Sequence, residues 1–171
     1  MALKRPPQHR VDAEPVYVDE QDSAWDIERI KRECAEMRRE GQSPSRHPVA
    51  VYHRGESRFD LGAAYSVLGV PRTAADYLGP DATRFVLRRL SHSELYRMTD
   101  MGSTSALGRL YGCRVGLVRV EGDGPKVQRD DYGVTDESLD NVFAWGAALP
   151  AKIGLAVFLA SQPLTEDEKK A

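Results

Sequence analysis

The residues most able to do chemistry stand in short, separate groups. Ser91-His92-Ser93-Glu94 holds the residue types of hydrolytic catalysis. Consecutive residues at a helix start do not face one another, so these four cannot form a nucleophile–base relay among themselves. Ser91 and Glu94 instead have the spacing of a capping box, with His92 in the solvated first turn. His47 and His53 are six apart without a third ligand nearby, and His9 lies far upstream, so no metal site is expected. Cys34 and Cys113 lack a CxxC context and fall at apolar helix positions, the pattern of core thiols. No GxxxxGK[ST] or GxGxxG run offers a phosphate loop. A small hydrolase built on His92 or Cys113 would need a fold that brings one of them to a carboxylate in a pocket. The expectation is a non-enzymatic protein with no cofactor.

Arg84, Arg88 and Arg89, with Arg72 and Arg97 near in sequence, form the best candidate binding patch. Alternation from Thr83 to Leu90 puts Phe85 and Leu87 on one strand face and Arg84, Val86 and Arg88 on the other. Arg84 and Arg88 could then meet a phosphate backbone or an acidic partner. No aromatic residues are interleaved with them, which weakens single-strand binding. A nucleic-acid adaptor using this patch would lose affinity steeply with salt. The whole chain argues against a general nucleic-acid coat: net charge is −2 and the pI about 6.1. Charge is uneven, however. Residues 1–60 carry 11 basic and 12 acidic residues, residues 61–120 carry 8 and 4, and residues 121–171 carry 5 and 10. The middle and the C-terminal part are therefore complementary, within one chain or between copies.

The elements that must position these groups follow from periodicity and breakers. The 171 residues (19.0 kDa, 41% hydrophobic and 29% charged) suit one domain plus some chain outside its core. Pro6, Pro7 and Pro15 exclude a long helix near the start, and residues 1–22 read as an extended arm. Within it, Val16, Tyr17 and Val18 are strand-like and free to join a sheet edge in this chain or a neighbour's. Residues 23–40 read as a helix starting at Ser23, with Ile27, Ile30, Cys34 and Met37 on one face and Gly41 at its end. So narrow a stripe suits docking on a core or a partner helix. Residues 41–48 are a Gly/Pro/Ser linker, which divides the chain into an arm with docking helix (1–48) and a core (49–171).

In the core, Val49, Val51 and Tyr52 suggest a short strand, and short helices are expected near 61–68 and 73–78. A capped helix follows Ser91, and a second runs from Ser103 or Thr104 to about Val118. Residues 120–133 read as a polar loop with a strong turn at Gly122-Asp123-Gly124-Pro125. Thr135 or Asp136 caps a further helix to Trp145, and Pro150 suits the first turn of a last one ending near Ser161. That last helix, with Ile153, Val157 and Phe158, is apolar nearly all round, so a subunit interface is expected to cover part of it. The apolar run from Phe143 to Ala160 contains Pro150 and Lys152 and reads as buried helix, not as a membrane span. The first ten residues lack a secretory h-region, so a cytoplasmic location is expected.

One resemblance adds to this reading. Thr83-Arg84-Phe85-Val86-Leu87-Arg88-Arg89-Leu90-Ser91 opens the second half as a strand running into a capped helix. Gly116-Leu117-Val118-Arg119-Val120-Glu121 closes the next helix, and an acidic loop follows. Leu139-Asp140, Leu149-Pro150, Ile153 and the ending Leu164-Thr165-Glu166-Asp167-Glu168-Lys169-Lys170 complete the pattern. This order resembles small morphogenesis proteins of tailed bacteriophages of the tail-assembly-chaperone type. The resemblance covers about half the chain, and the arm to Pro48 and the Gly/Pro-rich stretch to Pro80 depart from it. It implies surfaces that contact tail, head or connector subunits, work in the host cytoplasm during assembly, and no catalytic residues.

The combined expectation is an α+β, mainly α-helical fold: one small sheet with a helical core, preceded by the arm and the amphipathic helix. Contacts would run through Val16, Tyr17, Val18, Ile27, Ile30, Cys34, Met37, Arg84, Arg88 and Phe158, toward other phage subunits or copies of the chain, with no membrane. On this reading a charge at Ile30 breaks docking and spares the core, and alanine at His92 changes neither fold nor assembly.

Overall fold

The computed structural model describes residues 14–47, 50–52, 59–61 and 76–162. His53, residues 62–68 and 73–75 of the two expected short helices and the C-terminal Leu164–Lys170 motif lie outside them, while Leu61 is strand and residues 76–78 are a turn ending in a bridge to Trp25, not helix. The fold is α+β and mainly helical, with five α-helices among the described residues. Its central sheet has three antiparallel strands. β1 (Val16–Tyr17) pairs with β4 (Arg84–Leu87), and β4 pairs with β5 (Leu117–Glu121). The other strands form two small ribbons, β2 (Ala50–Tyr52) with β3 (Phe59–Leu61) and β6 (Arg129–Asp130) with β7 (Gly133–Val134).

Val16, Tyr17 and Val18, expected to seek a sheet edge, join that of their own chain: Val16 lies opposite Val86 and Tyr17 opposite Phe85. The Tyr17 ring is buried in the core, 6.1 Å from that of Phe85. One side of the segment is thus paired within the chain, while β1 remains at the edge of the sheet and Val18 lies just beyond the strand. β4 also departs from simple alternation. Phe85, Val86 and Leu87 are all buried, and the register shifts between Val86 and Leu87. That irregularity takes Arg88 off the face it would share with Arg84.

Helix α1 (Ile27–Arg39) is capped by Asp26, whose carboxylate accepts the Arg29 amide, three residues after the expected Ser23. Glu28 in the first turn and Arg38 and Arg39 in the last suit the helix dipole. Gly41, at φ 74, makes the left-handed exit. The face chosen from sequence is the right one, but its destination is internal. Ile30 is 0% exposed and Cys34 1%, while Ile27 and Met37 are half-buried. Ile30 and Cys34 are thus covered by this chain and closed to a partner, whereas Ile27 and Met37 keep part of their surface. Pro44–Arg46 form a single 3₁₀ turn, and His47 after it is buried, so the expected linker is anchored at its far end while Gly41–Ser43 and Arg46 stay exposed.

The second half holds α2 (His92–Asp100), α3 (Ala106–Gly116), α4 (Asp136–Trp145) and α5 (Leu149–Ala160). Ser91 and Glu94 form the predicted capping box, Ser105 caps α3 and Thr135 caps α4. Leu117–Glu121, read from sequence as the end of a helix, is strand β5. β6 and β7 fall in the expected polar loop. Leu107 of α3 is exposed despite its apolar side chain, and the buried residues of the helix are Gly108, Gly112, Cys113, Val115 and Gly116. Gly112 and Gly116 let α5 approach the α3 backbone, whereas Gly108 makes room for Met98 near the end of α2 and for Gly102 just after it. A Cβ on Gly154 of α5 would sit 1.8 Å from the Arg109 carbonyl oxygen, and one on Gly116 would sit 2.3 Å from a Val157 methyl.

The core lies between the sheet and α3, α4 and α5, around Phe85, Leu87, Leu117, Val142, Ile153 and Val157. The run Phe143–Ala160 is two helices bent by 108°, and no single described helix is long and apolar enough to cross a membrane. No residue of α5 is exposed, and Phe158 packs on the core of its own chain. Much of the cover expected from a subunit interface on α5 therefore comes from this chain, and Phe158 is partly buried against its core. Lys152 of α5 reaches back to Asp19 at 3.2 Å and Glu20 at 3.1 Å, and Ser161 Oγ accepts the Leu90 amide. Contacts thus cross the boundary expected at residue 48, and residues 14–47 belong to the folded unit.

Two outcomes follow. Gly154→Ala forces the closest helix pair apart and lowers stability by about 2–4 kcal/mol, read as a shift in the urea midpoint. Ile30→Ala, which hollows a fully buried site, costs roughly 2–4 kcal/mol in the same measurement.

Candidate functional site

Two polar groupings stand out, one closed and one open. The closed one centres on Glu33 of α1. Its carboxylate accepts hydrogen bonds from Arg29 Nε at 3.0 Å, His47 Nε2 at 2.8 Å and the Tyr77 hydroxyl at 2.6 Å. Arg29 also lies over the Tyr77 ring at 4.4 Å and donates to the Asp76 carbonyl. Burial raises the Glu33 pKa, but the three donors outweigh it and hold it below the ordinary carboxylate value. Burial and the Glu33 carboxylate push Tyr77 up to about 12. Glutamate, histidine, tyrosine and arginine in one cluster invite a catalytic reading. The geometry is that of a clamp: the His47 side chain is 2% exposed, and the group ties α1 to the turn that follows it and to residues 76–78. Sequence reading places Glu33 on a solvated helix face and weighs His47 only as a metal ligand.

The groups singled out from sequence are dispersed or occupied. His92 is exposed in the first turn of α2, as expected. Cys113 is fully buried, and burial pushes its thiol up to about 12, so it carries no thiolate near neutral pH. Arg88 makes a two-pronged pair with Glu94, at 2.9 and 2.7 Å. Arg84 is half-buried beside the Pro80 and Ala82 carbonyls. These two arginines therefore hold their own chain and do not form an open clamp for a partner or a phosphate backbone. No group of three or more potential metal ligands forms among the described residues.

The open grouping has no counterpart in the sequence reading. The antiparallel order β1-β4-β5 brings three connections to one end of the sheet. They are the turn after β1 with Asp19 and Asp22, the turn before β4 with Asp81, and the turn after β5 with Asp123. Together they line a cleft of about 500 Å³, closed on one side by Phe85, Leu149 and the indole of Trp145. The four carboxylates differ. Asp22 is saturated by backbone amides, from Ala24 at 2.8 Å and Thr83 at 2.9 Å. Asp19 is paired with Lys152. Asp81 and Asp123 are exposed and make no ion pair among the described residues.

Trp145, at the end of α4, is 53% exposed, and Phe143 is 41% exposed. On the other side of Trp145 lies a shallower hollow of about 300 Å³, bordered by Pro125, Asn141 and Ala144. Carboxylates beside a bare indole face can hold a guanidinium or an ammonium group. No nucleophile–base pair lines the cleft.

The structure defines an α+β, mainly helical chain with a surface cleft at one end of its sheet. Comparison with protein-family models, curated proteins and solved structures finds no match.

The Arg88–Glu94 pair makes stability depend on acid. Hydrogen bonding from Arg88 holds Glu94 at about 2, against an ordinary value of 4.5. Its contribution is therefore complete above about pH 4.5 and is lost as pH falls toward 2. Glu94→Gln removes this part of the acid dependence, so the drop in urea midpoint between pH 5 and pH 3 becomes smaller than in the unaltered chain.

Proposed function

We propose that this chain is a non-enzymatic assembly or structural protein of a tailed bacteriophage that works through protein–protein contacts. Its partners are other subunits of the particle or further copies of itself, met in the host cytoplasm during assembly. One observation carries the reading: Trp145 stands exposed at the rim of a cleft, and a second large aromatic side chain, Phe143, is exposed two residues earlier on the same helix. Bare aromatic residues of this size on a folded surface are enriched where proteins meet. The similarity of residues 83–170 to small phage morphogenesis proteins supplies the biological setting. The cleft and its aromatic rim take over the contact role first given to the arm strand, the α1 stripe and Phe158, which pack in part against the chain's own fold.

The test is co-expression with the head, connector and tail subunits of the same genome, followed by light scattering on the purified chain and on each mixture. The expected result is a mass above 19.0 kDa for the chain alone or in at least one mixture. Phe143→Ser with Trp145→Ser should then weaken that complex by roughly ten- to a hundredfold while leaving the urea midpoint nearly unchanged. A chain that stays at 19.0 kDa in every mixture would falsify the proposal.

A further inference from the structure

We infer that the acidic cleft beside Trp145 receives the Lys4-Arg5-Pro6-Pro7 segment of a second copy of this chain. The inference rests on the contact reading above and names the partner for that site. It starts from what the cleft lacks. Asp81 and Asp123 are exposed and make no ion pair among the described residues, and Trp145 offers an uncovered indole between two hollows. A matching occupant is an extended segment with a cation for the carboxylates, followed by flat, stiff apolar residues for the indole and the hollow by Pro125.

Residues 1–13 of this chain have that order. Lys4 and Arg5 precede Pro6 and Pro7, and with Arg10 against Asp12 the stretch has a net charge of +2. Consecutive prolines are already restricted near the extended polyproline form, so little freedom is lost on docking. Aromatic-lined grooves recognise this form. Arg5 supplies a planar guanidinium that can pair with a carboxylate and stack on the indole at once.

Reach selects a second copy over the chain's own segment. Asp19 borders the cleft, and the chain runs back from it through β1 to Glu14, which Arg119 of β5 holds at 2.7 Å. Those five steps of extended chain cover about 17 Å away from the cleft. To bring Pro7 back, the six residues Gln8–Ala13 would have to reverse direction and cover the same distance. The seven steps from Pro7 to Glu14 span about 24 Å when fully extended, and a reversal that uses two of them leaves about 17 Å, so the chain's own segment reaches the cleft only with every remaining residue stretched to its limit. A neighbouring copy has no such constraint.

The test uses two full-length variants. Arg5→Glu spoils the segment and leaves the cleft intact, whereas Asp81→Arg with Asp123→Arg spoils the cleft and leaves the segment intact. Asp81 and Asp123 are exposed, and the urea midpoints of both variants verify folding. Light scattering should show the unaltered chain at a multiple of 19.0 kDa and each variant alone at 19.0 kDa. An equal mixture should give twice that mass, because one intact segment then meets one intact cleft. Adding Trp145→Ala to the Arg5→Glu copy should weaken this mixed pair by roughly tenfold.

Variants that retain the assembly of the unaltered chain overturn the inference and leave the contact reading standing. So does a mixture that stays at 19.0 kDa while the unaltered chain is larger. An unaltered chain that is monomeric alone and yet joins a co-expressed subunit overturns this partner but not the contact reading. Monomers in every mixture remove both.

Discussion

The close approach of α3 and α5 is the constraint on which the rest of the molecule depends. A helix pair separated by ordinary side chains has axes 8–10 Å apart. Here Gly154 brings one backbone against the Arg109 carbonyl of the other, and Gly116 leaves room for Val157. α5 is thereby drawn deep into a small chain, with seven of its residues buried and none fully exposed. A chain of this size has too little material to surround a helix wrapped in large side chains on every face. Removing side chains from one face eases that problem and lets this chain supply much of the cover on α5.

With α5 fixed, its start at Leu149 and the end of α4 at Trp145 are fixed as well, beside the end of the sheet where the connections of β1, β4 and β5 converge. The cleft is therefore a product of topology. Its four aspartates come from three turns, and the turn after β1 has its own structural reason for short acidic residues. Asp22 shows this most clearly, since both its oxygens accept backbone amides. Lys152 neutralises part of the remaining charge from the buried side, and the outer carboxylates keep theirs.

Local features are legible in the sequence and non-local ones are not. Ser91 with Glu94, Thr135, Gly41 and the Ile30–Cys34 face follow from interactions among residues no more than four apart, and the structure keeps them all. Leu117–Glu121 reads wrongly as helix because Val and Leu serve a buried helix and a strand equally well. Gly116 carries the stop signal that distinguishes the two. The buried face of α3 escapes a periodicity argument because glycine carries no hydrophobic weight in it, although Gly108, Gly112 and Gly116 recur every four residues. The cleft is invisible for a different reason. Asp19, Asp22, Asp81 and Asp123 meet only after the strand order is known. The one local hint is that Asp81 and Asp123 sit beside the turn-forming Gly79-Pro80 and Gly122.

The pairing of Val16 with Val86 joins positions 70 residues apart. During synthesis at about 5–20 residues per second, β1 leaves the ribosome roughly 4–14 s before its partner strand exists. The strand that finally covers one side of β4 must wait unpaired through that interval. Any β4 edge that forms before β1 arrives is open to the same segment of another nascent chain. Translation rate and local chain density then influence which β1 completes the sheet, so the earliest residues of the fold are the last to be committed to it.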